Sequence, residues 1–153
     1  MKDRTRVRGI ALQALYEMDM TDHPLGTVLK HRLRDASLDD PLISFLHEIV
    51  TGVWAVREDL DHFIAAHAPE WPLDQVAVID RNILRIALWE MAASNGTPLK
   101  VAINEAVELA KIYGSDSAPR FVNGVLGSLA DRQNEIIQAF QSLEAEQRSD
   151  SSS

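Results

Sequence analysis

The chain of 153 residues contains no cysteine, which excludes disulfide bonds, cysteine nucleophiles and cysteine-ligated zinc. Seven glycines and six prolines are too few for a loop-rich all-β fold. No apolar run approaches the roughly 18 residues of a membrane-spanning helix. The N-terminus also lacks the unbroken apolar stretch of a signal peptide. These absences favour a helical, cytoplasmic protein with no membrane association.

Positive charge is scarce, with 15 Lys and Arg residues against 23 Asp and Glu and a net charge of −8. A uniformly acidic protein would repel nucleic acid. The first eight residues are an exception, because they hold one acid beside four basic residues, Lys2, Arg4, Arg6 and Arg8. This segment therefore carries +3 and the rest of the chain −11, which indicates a basic N-terminus on an acidic body.

Apolar residues recur at helical spacing along almost the whole chain, and strand-like alternation is nearly absent. We therefore expect an all-α fold, with about seven helices in one domain over residues 1–143. The most regular apolar seam, at residues 42–63, has Gly52 in its middle and forms either one bent helix or two. Residues 76–91 are apolar on nearly all sides, which predicts a central helix. The polar residues 144–153 are expected to form a disordered tail.

The basic N-terminal segment runs into a helix whose apolar face includes Ala11 and Leu15. At helical spacing Arg4 and Arg8 lie in line with that face. We therefore expect the segment to project beyond the core or to fray, which leaves its cations free to bind the phosphates of a polyanion. The alternative is a terminus that is merely solvated.

A second candidate binding feature is the pair Arg120 and Phe121, followed closely by Asn123 and Gly124. A guanidinium can bind phosphate and an aromatic ring can stack on a base, so the two together are typical of single-stranded RNA recognition. The alternative is that Phe121 packs in the core. Neither candidate helix is long and polar enough to favour helix-turn-helix binding to DNA.

Motifs of catalysis and metal binding are missing from the sequence, so we expect no enzyme, no cofactor and no metal. Glu90, Glu105 and Glu108 could in principle share a metal ion, but no histidine stands at the spacing that would complete such a site. A solvated face explains these acids better, with Glu108 paired to Lys111 one turn along a helix.

Four segments of the sequence resemble the NusB family of bacterial transcription antitermination factors. They are residues 14–16 (ALY), 80–90 (DRNILRIALWE), 101–111 (VAINEAVELAK) and 120–126 (RFVNGVL). The resemblance covers roughly residues 4–129. It implies an all-helical fold of two packed three-helix subdomains. It also implies binding to the boxA RNA of ribosomal RNA operons, jointly with the ribosomal protein NusE, in a complex that acts on RNA polymerase.

The resemblance also implies roles for individual residues. The positions that match the RNA-binding face of the family are Lys2, Arg4, Arg6, Arg8, Arg120 and Phe121. Tyr16 and Asp80 match positions on the face that binds the protein partner, although Asp80 could instead pair within the chain with Arg81 or Arg85. Residues 118–119 (AP) depart from the family, which often carries acidic and basic residues there.

Two other functions remain open from the sequence. One is a NusB-like accessory domain related to an RNA methyltransferase, a class that the family also contains. The other is a structural helical module that forms a homodimer, either through the seam of residues 42–63 or through the helix that contains Gly124. The sequence does not distinguish a monomer from a homodimer.

Overall fold

The computed structural model describes residues 2–67, 75–92 and 97–151, and over these residues the chain is helical with no strand, as expected. The described helices are α1 (Asp3–Met20), α2 (Leu25–Asp35), α3 (Asp40–Ala55), α4 (Arg57–His67), α5 (Val78–Ala92), α6 (Leu99–Tyr113), α7 (Ala118–Ala130) and α8 (Gln133–Ser151). None of them is both long and apolar enough to cross a bilayer.

The apolar seam of residues 42–63 forms two helices, which explains why eight are found where about seven are expected. The break lies between Ala55, where α3 ends, and Arg57, where α4 begins. The side chain of Arg57 folds over the last turn of α3. Its Nη1 donates to the carbonyl oxygen of Trp54 at 2.6 Å, and its guanidinium lies 3.8 Å from the centre of the Trp54 ring. The cation thereby adds a donor to a carbonyl at the end of the helix, which also accepts from the amide of Val56. Gly52 lies inside α3, where a Cβ atom would overlap the ring of Trp89.

The helices pack in two groups of three, with α5 at the centre. Helices α1, α2 and α3 contact one another, as do α5, α6 and α7, while α4 and α8 pack against α5. The seam of residues 42–63 supplies the core of the monomer, since Leu46, Ile49, Val53 and Leu60 have no exposed surface. Most of that seam is therefore unavailable as a homodimer interface.

A buried network of ion pairs joins the C-terminal half of α1 to α4 and α5. Arg85 donates to both carboxylate oxygens of Asp61, at 2.7 and 2.6 Å, and to Asp19 Oδ2 at 2.8 Å. Asn82 donates to the same Asp19 oxygen at 2.7 Å. Burial alone would lower the Arg85 pKa, but the hydrogen bonds and charges of Asp61 and Asp19 raise it overall. The network fixes one end of α1 against the central helix.

Helix α8 continues to Ser151, through most of the segment where the sequence analysis expects a disordered tail. Residues 144–146 are exposed, so burial does not hold this part of the helix in place. Their types, Glu, Ala and Glu, have high intrinsic helix propensity, which lets the helix extend without a packing partner. Residues 152–153 lie outside the described residues, and the domain boundary at residue 143 stays a prediction.

Candidate functional site

The N-terminal basic segment forms the first turns of α1, which begins at Asp3. Arg8 is only 3% exposed. Its Nε and Nη2 donate to the two carboxylate oxygens of Glu90, at 2.7 and 2.8 Å, and Glu105 Oε2 lies 3.8 Å from its Nη1. The expectation of a projecting or frayed segment is therefore wrong for Arg8, because the body of the protein extends this far and supplies a carboxylate for it.

The acids around Arg8 are themselves held by hydroxyl groups. Thr97 Oγ1 donates to Glu90 at 3.1 Å, and Thr5 Oγ1 donates to Glu105 at 3.0 Å. Burial alone would lower the Arg8 pKa, but the hydrogen bond and charge of Glu90, together with the charge of Glu105, raise it overall. Arg8 thus stays charged inside the protein and ties α1 to α5 and α6.

This network corrects the interpretation of the acids as a solvated face. Glu90 is 1% exposed and Glu105 is half-buried, so for these two residues the interpretation is wrong. It is confirmed for Glu108, which is exposed and lies 3.3 Å from Lys111. Within the described residues no cluster of three or more side chains could hold a metal ion.

The other three cations of the segment lie at the start of α1, where Lys2 is the N-cap residue and Arg4 and Arg6 belong to the first turns. Lys2, Arg4 and Arg6 are exposed. The Arg4 guanidinium lies 4.5 Å from the centre of the Phe45 ring, a cation–π contact with α3. Arg6 donates to the carbonyl oxygen of Ser37 at 3.3 Å, in the connection between α2 and α3. We call these three exposed cations, Lys2, Arg4 and Arg6, the cationic face of α1; Arg4 and Arg6 leave the helix on different sides, toward Phe45 and toward Ser37.

Arg120 and Phe121 lie in the first turn of α7, which follows the end of α6. Arg120 is exposed, whereas Phe121 is partly buried against the hydrophobic core. The alternative, that Phe121 packs in the core, is therefore found in part. Thr5 of α1 bonds to Glu105 of α6, whereas Arg4 and Arg6 of the cationic face contact Phe45 of α3 and Ser37 of the α2–α3 connection. The convergence of Arg120 and Phe121 with that face on one patch stays a prediction.

Tyr16 lines an open apolar groove between α1, α5 and the end of α6. The groove has a volume of about 370 Å³ and is lined by Tyr16, Met20, Ala77, Val78, Ile79 and Tyr113. Tyr16 is 40% exposed and Met20 is 55% exposed. Large apolar side chains exposed together in a concave surface are typical of a docking site for another protein.

Asp80, in the first turn of α5, is buried and has an unsatisfied carboxylate oxygen. It is 7% exposed, and its Oδ1 has no hydrogen-bond partner among the described residues. The alternative pairing with Arg85 is not found, because Arg85 binds Asp61 and Asp19. Arg81 makes no ion pair with Asp80 either. Burial raises the pKa of the Asp80 carboxyl above its ordinary value of 3.8.

The Asp80 oxygen faces the turn between α6 and α7. A Cβ atom on Gly114 would lie 3.1 Å from Asp80 Oδ1 and 2.5 Å from the Cβ of Ala118. Glycine is needed at this position because three elements approach one another closely. Asp80 therefore lies beneath the turn that leads to Arg120 and does not project into the Tyr16 groove.

Comparison with known proteins decides the family. The chain matches the NusB family over residues 5–131. The chain belongs to the NusB family. It is 50% identical over 134 residues to the transcription antitermination protein NusB of Roseiflexus castenholzii, covering 86% of this chain and 94% of that protein. It is 43% identical over 129 residues to the NusB of Bacillus subtilis, with 84% and 95% covered.

Solved structures of NusB proteins share the fold of this family member. NusB of T. maritima superposes with a TM-score of 0.76 at 31% identity, covering 84% of this chain and 90% of that one. The NusB chain of a complex of antitermination factors NusB and NusE with double-stranded RNA gives a TM-score of 0.74 at 24% identity. In that case 91% of this chain and 98% of the other are covered, and the likeness concerns the fold.

The residues that sequence reasoning missed are those that hold Arg8 beneath the cationic face and those that complete the Tyr16 groove. Glu90 and Glu105 were not assigned to Arg8, and Met20 and Tyr113 were not assigned to the Tyr16 groove. For Met20 a signal is present, because it follows Tyr16 by four residues and therefore shares its face of α1. Tyr113 had no such signal, since its position next to α1 depends on the packing of α6.

The buried carboxyl of Asp80 predicts a pH-dependent effect on stability. Because the folded-state pKa lies above the ordinary 3.8, the folded protein favours the protonated acid. Ionisation therefore costs stability as the pH rises through the raised pKa. We expect Asp80→Asn, which is neutral throughout, to gain stability relative to the wild type over that range, as measured by urea unfolding from below pH 3.8 to neutrality.

Asp131→Asn, which removes a carboxyl from an exposed position, is the matched control. A stability difference between Asp80→Asn and the wild type that is constant with pH, or that moves in the opposite direction, contradicts the buried environment described for Asp80.

Proposed function

We propose that this chain is a transcription antitermination factor that binds boxA-type single-stranded RNA of ribosomal RNA operons. It does so together with the ribosomal protein NusE, and the complex is recruited to RNA polymerase. The antitermination proteins of Roseiflexus castenholzii and Bacillus subtilis, which it matches over nearly their whole length, support this function. A solved complex of NusB with NusE and RNA shares its fold.

The observation that carries the proposal is the cationic face of α1 on a protein of net charge −8. Lys2, Arg4 and Arg6 are exposed, and no described carboxylate forms an ion pair with them. Three cations that lack a carboxylate partner at the start of one helix repel one another, and phosphates that neutralise them remove that repulsion. Arg120 and Phe121 extend the proposed RNA-binding surface to α7.

The Tyr16 groove is the proposed docking surface for NusE. Its exposed aromatic and apolar side chains supply a hydrophobic interface core, and the acidic character of the chain as a whole attracts a basic ribosomal protein. Asp80 does not line this groove, and its proposed part in partner binding is to hold the turn between α6 and α7 from beneath. RNA and partner then bind to different surfaces of the same helix, α1, and the protein acts as a non-catalytic cytoplasmic adaptor.

The two alternative functions have less support. The relatives that the chain matches over nearly their whole length are named as antitermination proteins, which does not favour an accessory domain related to an RNA methyltransferase. A structural dimerisation module through residues 42–63 is not favoured, because Leu46, Ile49 and Val53 are fully buried inside the monomer.

Reversing two charges of the cationic face tests the RNA-binding function. We expect Arg4→Glu/Arg6→Glu to weaken binding to a U- and A-rich boxA-type RNA at least about tenfold at moderate salt, because phosphate contacts are lost. The slope of log K against log salt should fall by roughly 1.4, about 0.7 for each contact to a single strand. Fluorescence anisotropy titration at several salt concentrations measures both quantities.

Lys111→Glu/Arg132→Glu makes the same change of net charge at exposed positions outside α1 and serves as the control. Equal affinities of the wild type and the α1 variant would remove the cationic face from RNA binding.

Substitution in the Tyr16 groove tests the partner surface separately. We expect Tyr16→Ala/Met20→Glu to weaken binding to purified NusE about tenfold or more, because exposed aromatic anchors dominate such interfaces. Binding of RNA without NusE should be unchanged, since neither side chain belongs to the cationic face. Isothermal titration calorimetry measures the first affinity, and Val101→Glu, which places a charge at another exposed apolar position, is the control.

A loss of NusE affinity equal to that of Val101→Glu would show that the groove is not the docking surface. Weaker RNA binding by the groove variant would show that the two surfaces are not separate.

A further inference from the structure

A second concave surface lies between α1, α2 and the end of α6. It is a pocket of about 280 Å³ lined by Arg6, Ile10, Gln13, Arg32, Asp35, Ala36 and Tyr113. Arg6 belongs to the cationic face of α1, so the pocket opens directly beside the proposed RNA-binding surface. Gln13, Arg32 and Asp35 belong to none of the sequence motifs described above, and we refer to this feature as the Arg32 pocket.

The walls of the Arg32 pocket are held by hydrogen bonds that join three helices. Arg32 donates to Gln13 Oε1 at 2.9 Å and to Glu17 Oε1 at 3.1 Å. Gln13 Nε2 donates in turn to the hydroxyl of Tyr113 at 3.0 Å. The guanidinium and the phenol ring are therefore positioned before any ligand binds, which lowers the entropic cost of binding.

Tyr113 reaches the pocket because α1 has a glycine where the ring crosses it. A Cβ atom on Gly9 would lie 2.8 Å from the Tyr113 hydroxyl oxygen and 3.3 Å from Cε2 of the ring. Gly9 is buried in the middle of α1, where glycine costs roughly 1 kcal/mol relative to alanine. The close approach of the ring is the structural reason for a glycine there.

The charged and hydrogen-bonding side chains of the pocket are complementary to the phosphate and the base of one nucleotide. Glu17 balances the charge of Arg32, whereas Arg6 donates only to the carbonyl oxygen of Ser37 and keeps an unbalanced charge at the rim. Guanidinium groups donate to phosphate and base oxygens, the Asp35 carboxylate accepts from base amino groups, and an aromatic ring stacks on a base. The volume of about 280 Å³ lies just below the range for drug-sized ligands, which suits a ligand of the size of one base.

We propose that the Arg32 pocket binds one unstacked nucleotide of the single-stranded RNA, with its phosphate at Arg6 and its base among Tyr113, Arg32 and Asp35. This inference rests on the function proposed above and deepens it, because it adds a base-contacting subsite to a phosphate-contacting surface. Phosphate contacts fix position along the strand, whereas a pocket that takes a base contributes sequence preference.

A thermodynamic cycle between RNA bases and pocket residues tests the inference. Each nucleotide of the boxA-type RNA is replaced in turn by an abasic one, and the affinity of the wild type is measured for each RNA. We expect one position where loss of the base weakens binding about tenfold, as for a base that stacks on an aromatic ring. At that position the abasic penalty should fall below about twofold in Arg32→Gln and in Tyr113→Leu. Each variant has already lost a contact to this base, so removing the base costs little more.

Arg34→Gln is the matched control, since it removes the same charge from the same helix at an exposed position that does not line the pocket. It should keep the full abasic penalty. Circular dichroism and thermal melting establish that each variant is folded. Two pocket variants on different helices keep the test valid if one of them is unstable.

Three outcomes overturn the inference while leaving the proposed function intact. These are abasic penalties that are the same in the pocket variants and in Arg34→Gln, the lack of any position with a penalty in the wild type, and weaker NusE binding by Arg32→Gln, whose side chain does not line the Tyr16 groove, with unchanged abasic penalties. The last outcome would assign the pocket to the protein partner. Failure of the wild type to bind any boxA-type RNA contradicts the proposed function itself.

Discussion

The bidentate pair between Arg8 and Glu90 is the interaction on which the candidate surfaces depend. Both groups are nearly inaccessible to solvent, and their two hydrogen bonds are 2.7 and 2.8 Å long. A charge buried this deeply is tolerated only when a partner and further hydrogen bonds compensate for the loss of water. Glu105, Thr97 and Thr5 supply that compensation. The pair therefore determines how the first turns of α1 face the rest of the protein.

A second arginine fixes the other end of the same helix. Arg85 of α5 binds Asp19 near the end of α1, just as Glu90 of α5 binds Arg8 near its start. Helix α1 is thus clamped to the central helix at both ends, and its outer faces are free to bind ligands. The cationic face, the Arg32 pocket and the Tyr16 groove follow one another along it. A helix with fixed ends can hold RNA and protein partner at a constant separation, which suits an adaptor of the NusB family.

The sequence predicts the helices well because each one has its own apolar periodicity. It does not predict the burial of Arg8, since Arg8 stands in a basic run beside Arg6 and its partner Glu90 is 82 residues away. The helical spacing that puts Arg8 on the same face of α1 as Ala11 and Leu15 does indicate that its side chain faces the core. The acid that accommodates it depends on tertiary packing, as does the position of Tyr113 over Gly9.

Amide hydrogen exchange at the start of α1 tests the central claim most directly. The amide of Arg6 already bonds to the carbonyl of Lys2, so residues 6–9 should be protected in the wild type. Glu90→Gln, which keeps the shape of the side chain but removes its charge, should raise exchange at these amides and weaken RNA binding together. Unprotected amides in the wild type, or a Glu90→Gln variant with unchanged exchange and RNA affinity, would contradict the claim that this ion pair presents the cationic face.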